Sequence, residues 1–185
     1  MLKKCLIALF AVIAVSALYA APKQIKIAQG AACYVWNKNV VNKPEGVPAG
    51  GFVDTETGFR LGTLRHHDGL GQLANTCCFI MWEGFVKIPR TDDYRFTLIS
   101  DDYVNTRIFI NGKTLITRRS KEQETVTASA SLKKGMAKIR IYFNPAVPNH
   151  VASKQIVLKF GRATGMKMTD ITPANMYHQV EDEEE

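Results

Sequence analysis

From residue 79 onward, apolar and polar positions alternate with a period of two. The runs 79–88 (FIMWEGFVKI), 94–100 (YRFTLIS), 107–110 (RIFI), 113–116 (KTLI), 125–132 (TVTASASL), 138–143 (KIRIYF) and 155–160 (QIVLKF) are short and rich in β-branched or aromatic residues. Turn-forming residues bound them, so each is predicted to be a strand. In the run 138–143, Ile139, Ile141 and Phe143 share one face while Lys138, Arg140 and Tyr142 share the other, the pattern of a strand with one buried side. Asn111-Gly112 separates two alternating runs and is a strong hairpin signal, because both turn positions need positive φ. Lys134-Gly135 marks a second tight turn. No sustained helical period follows the first twenty residues. The pattern predicts an all-β chain, a two-sheet antiparallel β-sandwich.

The N-terminal third is less regular. A strand is expected around 32–36 (ACYVW), a Pro/Gly-rich loop over 42–51 and another loop over 66–72 (HHDGLGQ). These loops are expected to cover one end of the sandwich. No internal repeat and no second domain is visible.

The first residues read as an address. Lys3 and Lys4 precede the apolar core 5–18 (CLIALFAVIAVSAL), which small residues follow. This is the pattern of a secretory signal peptide with cleavage after Ala20, since cutting after Ala21 would leave Pro22 first. The core is short for a transmembrane helix, and Cys5 precedes it rather than following it as a lipoprotein signal requires. The expected plan is a signal peptide over 1–20, one sandwich over 21–178 and an acidic disordered tail over 179–185, with the mature chain secreted or periplasmic and without a transmembrane segment.

That plan leaves Cys33, Cys77 and Cys78 in an exported chain. The odd count implies one disulfide and one remaining thiol, pairing Cys33 with Cys77 or Cys78, because a bond between sequence neighbours is strained. Neither member of the Cys77-Cys78 pair has the spacing of a metal motif. Basic residues outnumber acidic ones 24 to 17, a formal +7. Without the leader and the tail 181–185 (EDEEE) the body keeps 22 basic against 12 acidic residues. Such a body favours anionic partners, although a solvated basic surface accounts for it equally well.

The stretch 82–116 carries a more specific signal. Trp82, Gly84, Pro89, Tyr94, Phe96, Ser100, Asp101, Asp102, Ile110, Asn111, Gly112 and Lys113 fall in one order. That order resembles the β-sandwich domain named for the protective antigen of a bacterial toxin, found also in yeast flocculins and epithelial adhesins and inserted in some glycosidases. Residues 131–143, 156–160 and 171–177 are similar to the family's later segments, so the resemblance spans roughly residues 30–178. Tyr94, Phe96 and Leu98 on one face would fill the space between sheets, Trp82 would add a large buried ring, and Gly84 would permit a close backbone approach.

The resemblance also implies a site. In lectin members of the family, the Asp-Asp pair is joined by a cis peptide and holds a calcium ion that coordinates sugar hydroxyls. Carried over, this makes Asp101 and Asp102 metal ligands. Calcium takes six to eight oxygens, and the loop 144–154 offers Asn149 and Asn144 as further ligands. Tyr103, Asn105 and Asn149 are the candidate sugar contacts. The family has Gly or Ser after the pair, whereas 103–106 (YVNT) places a tyrosine there and lengthens the connection. An aromatic ring there either stacks on a sugar face or fills the pocket. A simpler reading makes the Asp pair a turn cap, neutralised by Arg95, Arg107 or Lys87 without metal.

Three weaker features complete the survey. His66-His67-Asp68 reads as a solvated loop rather than a transition-metal site, because neighbouring side chains rarely converge; Asp92-Asp93 reads as turn chemistry, and the cluster 118–121 (RRSK) reads as a solvated hairpin end. No nucleophile motif or metal signature supports an enzyme, and export argues against nucleic acid as a partner. The expectation is an exported, non-catalytic, lectin-like module that binds a glycan or cell-surface polysaccharide. The alternative is a structural or adhesion component that binds an envelope protein without metal.

Overall fold

The computed structural model describes residues 26–36, 46–75, 79–119, 121–145 and 153–180. The expected signal peptide, residues 181–185 of the expected tail, Asn149, Cys77 and Cys78 lie outside the described residues, whereas Gln179, placed in that tail, ends a strand opposite Ile27. The chain forms thirteen described strands in two antiparallel sheets, the sandwich that the alternation predicts.

The larger sheet is built on β5 (Phe79–Ile88), β7 (Val104–Ile110), β8 (Lys113–Arg119) and β10 (Gly135–Pro145). β10 lies between β5 and β7, with Ile141 opposite both Trp82 and Ile108. The other edge of β5 is shared. β2 (Ala31–Trp36) pairs with its first half, and β13 (Tyr177–Gln179) meets it at Phe85. β1 (Ile27–Gln29) and β3 (Gly50–Asp54) extend this sheet from β13 and β2. The smaller sheet runs β12 (Thr169–Ile171), β11 (Gln155–Arg162), β6 (Asp92–Ser100), β9 (Glu124–Leu132), and β4 (Phe59–Arg60) joins β11 at its start.

Period-two alternation delivers the core. Trp82, Phe96, Leu98, Ile108, Ile139, Ile141, Phe143 and Leu158 are fully buried between the sheets, and Tyr94 nearly so. Burying one such side chain contributes about 1.5–3 kcal/mol. A polar bond fixes the largest ring: the Trp82 indole N–H donates to Asp54 Oδ2 at 2.7 Å in the interior. Gly84 earns its place by proximity, because a Cβ there would stand 2.6 Å from the Tyr177 carbonyl oxygen. Asn111 and Gly112 turn at φ 48° and 79°, and Asn111 Oδ1 accepts the Lys138 N–H at 2.9 Å, tying the hairpin to β10.

Three expectations need correction. The segment 66–72 is not simply a loop, since 3-10 turns occupy Leu61–His66 and Gly71–Asn75 and bury Leu61 and Leu64. Gly50 and Gly51, assigned to a loop, begin β3, one of four short strands among the described residues of an N-terminal third that is otherwise turns and loops. The outer face of β10 is not simply polar either. Tyr142 is buried there in a second cluster with Trp36 and Phe79, against which Tyr34, Met81 and Phe109 pack.

Candidate functional site

β6 ends in the smaller sheet at Ser100 and β7 begins in the larger sheet at Val104. Both residues are fully buried, so the chain must cross the end of the sandwich between them. Asp101, Asp102 and Tyr103 make that crossing. The connection is therefore three residues long, not the extended 103–106 link expected, because Val104, Asn105 and Thr106 already pair with β10 and continue β7.

The two carboxylates do different work. Asp101 Oδ2 accepts the Gln155 N–H at 2.9 Å, while the Asp101 N–H reaches the Gln155 carbonyl at 3.4 Å. Asp101 thus fastens the crossing to the start of β11. Asp102 Oδ1 receives the ammonium of Lys154. The Lys154 side chain is only 14% exposed against 48% for Asp102, so the cation is the buried partner. The Lys154 hydrogen bond holds the Asp102 carboxyl below its ordinary value near 3.8.

A second cation lies behind the pair. Arg118 is 2% exposed, donates to the carbonyls of Val104 and Glu122, and stands 3.7 Å from Glu124 Oε2. Burial pulls its pKa down, opposed by the charges of Glu124, Asp102 and Asp101. Arg118 was expected in a solvated hairpin end. It is instead the internal counter-charge of this loop end. The neutralising residues are thus Lys154 and Arg118 rather than Arg95, Arg107 or Lys87. Sequence distance hid both, because β8 and the start of β11 meet the crossing only in the folded sandwich.

Tyr103 adopts φ 53°, the left-handed region that costs an L-residue roughly 1–2 kcal/mol. The residue is 38% exposed. Asn105 and Asn144 face each other across β7 and β10. By alternation they lie on the outer face of the larger sheet, the side of Phe109 and Tyr142. Asn144 is buried there, and Asn149 lies outside the described residues. Among the described residues no peptide bond is cis, so the Asp101–Asp102 bond is trans, unlike that expected from the resemblance.

Beyond Gln155 opens a polar cleft of about 460 Å³, whose lining sets the carboxylate of Glu56 among Arg60, Arg65, His66, Ser153 and Gln155. The Leu61 N–H bonded to the Lys154 carbonyl at 3.3 Å joins its floor to the same loop end. His67 stacks on Phe52 with ring centroids 3.6 Å apart. Cys33 is buried in β2 between β3 and β5, while both of its expected partners lie outside the described residues.

The residues described at the crossing do not fit a calcium cradle. Of four carboxylate oxygens, one is committed to a backbone N–H and one to an ammonium, and calcium needs six to eight oxygens without a competing cation. Among the described residues no three His, Cys, Asp or Glu side chains are placed to hold a metal ion.

The chain matches the PA14 domain over residues 36–172. It belongs to the PA14 domain family. Solved structures agree at the level of fold. A PA14 sugar-binding domain from an RTX adhesin is 13% identical, with a TM-score of 0.55, over 82% of this chain and 99% of that one. The epithelial adhesin 9 A domain from Candida glabrata, in complex with Galb1-4GlcNAc, is 10% identical at the same TM-score, over 83% and 90%. An anti-sigma factor domain-containing protein is 15% identical with a TM-score of 0.61, over 86% of this chain, which spans about half of that one at 51%. No curated protein is similar enough to match. PA14 relatives include sugar-binding modules, and no helix among the described residues of this PA14 chain is long and apolar enough to cross a membrane.

Proposed function

We propose that this PA14 chain is an exported, non-catalytic carbohydrate-binding module and that the sugar binds where the two sheets meet at Asp101–Tyr103. One observation carries the reading: a partly exposed tyrosine is held at φ 53° next to a carboxylate–ammonium pair, and Gln155, which anchors Asp101, also lines a polar cleft. Aromatic faces stack on the apolar faces of sugar rings, and fixed charged groups bond hydroxyls strongly and directionally. A left-handed tyrosine persists only where its surroundings hold it. The neighbouring cleft carries Arg60 and Arg65 against one carboxylate, Glu56, a net positive lining that favours acidic over neutral glycans.

The similarity to a sugar-binding adhesin domain and to a lectin domain solved with a disaccharide supports the same class. A glycan array of the chain from residue 21, spanning neutral and acidic glycans, tests it. Acidic glycans bound by wild type and lost in Tyr103→Ala support the reading, and an array without hits rejects it.

A further inference from the structure

We infer that Lys154 takes the place of a divalent cation at the Asp101–Asp102 loop, so that this PA14 chain neutralises its carboxylate pair, and recognises sugar, without calcium. The inference rests on reading this loop end as the sugar site.

Two adjacent carboxylates need a compensating positive charge, which a divalent ion supplies from outside the chain. Here the chain supplies it. The Lys154 ammonium sits on Asp102 Oδ1 and is 86% shielded from solvent, and the buried Arg118 guanidinium is close enough to feel both carboxylates. Lys154 answers Asp102 directly, and Arg118, shared with Glu124, adds positive charge behind the pair, so a calcium ion would first have to expel a largely shielded ammonium from the one carboxylate it pairs with among the described residues. Leaving a buried charge unpaired is costly, and no such step arises if the lysine stays.

Lys154 is also held by its backbone. Its carbonyl accepts the Leu61 N–H, and the next residue, Gln155, bonds Asp101 through both its N–H and its carbonyl. The backbone that carries Lys154 is therefore fixed on both sides, by the 3-10 turn at Leu61 and by the crossing at Asp101. An ammonium carries three N–H donors and Asp102 Oδ1 takes one; the side chain keeps 14% of its surface exposed, and it is through that opening that a remaining donor meets a sugar hydroxyl. A calcium ion coordinates hydroxyl oxygens; here an ammonium donates hydrogen bonds to them.

The test is thermal melting of wild type and Lys154→Met, each in EDTA and in millimolar calcium. Wild type is expected to melt at the same temperature in both. The variant, with its carboxylates freed, is expected to gain about 3 °C in calcium. Wild type gaining as much as the variant overturns the inference, and so does a variant as indifferent as wild type. If Lys154→Met fails to fold, Lys154→Gln with terbium(III), sensitised through Tyr103, replaces it: emission in the variant and none in wild type supports the inference, while the reverse, equal emission in both, or none in either overturns it. Neither readout needs sugar, so a glycan array without hits and a calcium-sensitive wild type are separate failures.

Discussion

The Lys154 ammonium rests on Asp102, and it is the lysine rather than the aspartate that is withdrawn from water. The pair closes the end of the sandwich, where β6 passes from one sheet to β7 in the other. Because the Lys154 hydrogen bond depresses the Asp102 pKa, its contribution is present above the unfolded value near 3.8 and is lost as pH falls through the lower folded value. Wild type is therefore expected to lose stability relative to Asp102→Asn on acidification below about pH 4, measured by denaturant unfolding across pH.

Arg118 is expected to be structural as well as electrostatic. Replacing it with Met removes the donors for the Val104 and Glu122 carbonyls and leaves the Asp pair with one cation. A loss on the order of 3 kcal/mol is expected from breaking a buried charged network. Arg119→Met, whose neighbouring side chain is exposed, is expected to cost under about 0.5 kcal/mol. Urea unfolding of the two variants checks the contrast.

Tyr103→Gly separates backbone strain from recognition. Glycine accepts φ near 53° without the steric cost that tyrosine bears, so the variant is expected to be no less stable and to gain up to about 1 kcal/mol. Its affinity for any array ligand is expected to fall by at least about tenfold, the loss of one aromatic contact. A stable variant with unchanged affinity would remove Tyr103 from the site.

How much of this was legible along the chain varies by residue. Strands at Phe79–Ile88 and Gln155–Arg162, the Asn111-Gly112 hairpin, and the packing of Tyr94, Phe96 and Leu98 follow from period two and turn chemistry, because both are local. β4 and β13 were invisible, since two or three residues carry no period and form only against a neighbour. The Asp pair announced itself as adjacent like charges. Its partners did not, because Lys154 lies 52 residues away and Arg118 reads as one of several surface cations. Charge clusters in sequence do not reveal which member turns inward.

Asp54 and Trp82 provide a test inside the core. Burial raises the Asp54 pKa against the opposing hydrogen bonds from the Glu56 N–H and the Trp82 indole. A raised carboxyl pKa favours the folded state below the unfolded value and loses that contribution as pH rises through the folded one. The stability of wild type relative to Asp54→Asn is therefore expected to decline as pH rises from 4 toward neutrality. Asp54→Ala is expected to cost about 1–3 kcal/mol throughout by stranding the indole N–H.

Gly84→Ala probes the junction of β5 with β13. The new methyl would meet the Tyr177 carbonyl at 2.6 Å, a backbone atom that cannot swing aside. A destabilisation of about 1–3 kcal/mol is expected, and hydrogen exchange at β13 is expected to report it first, because that strand is three residues long.

The central claim is sugar recognition by a PA14 domain whose positive charge is its own lysine. Calorimetric titration of the strongest array ligand, in EDTA and again in millimolar calcium, tests it most directly. The same Kd is expected in both buffers, with a loss of affinity in Lys154→Met under EDTA. Binding that appears only when calcium is added would contradict it.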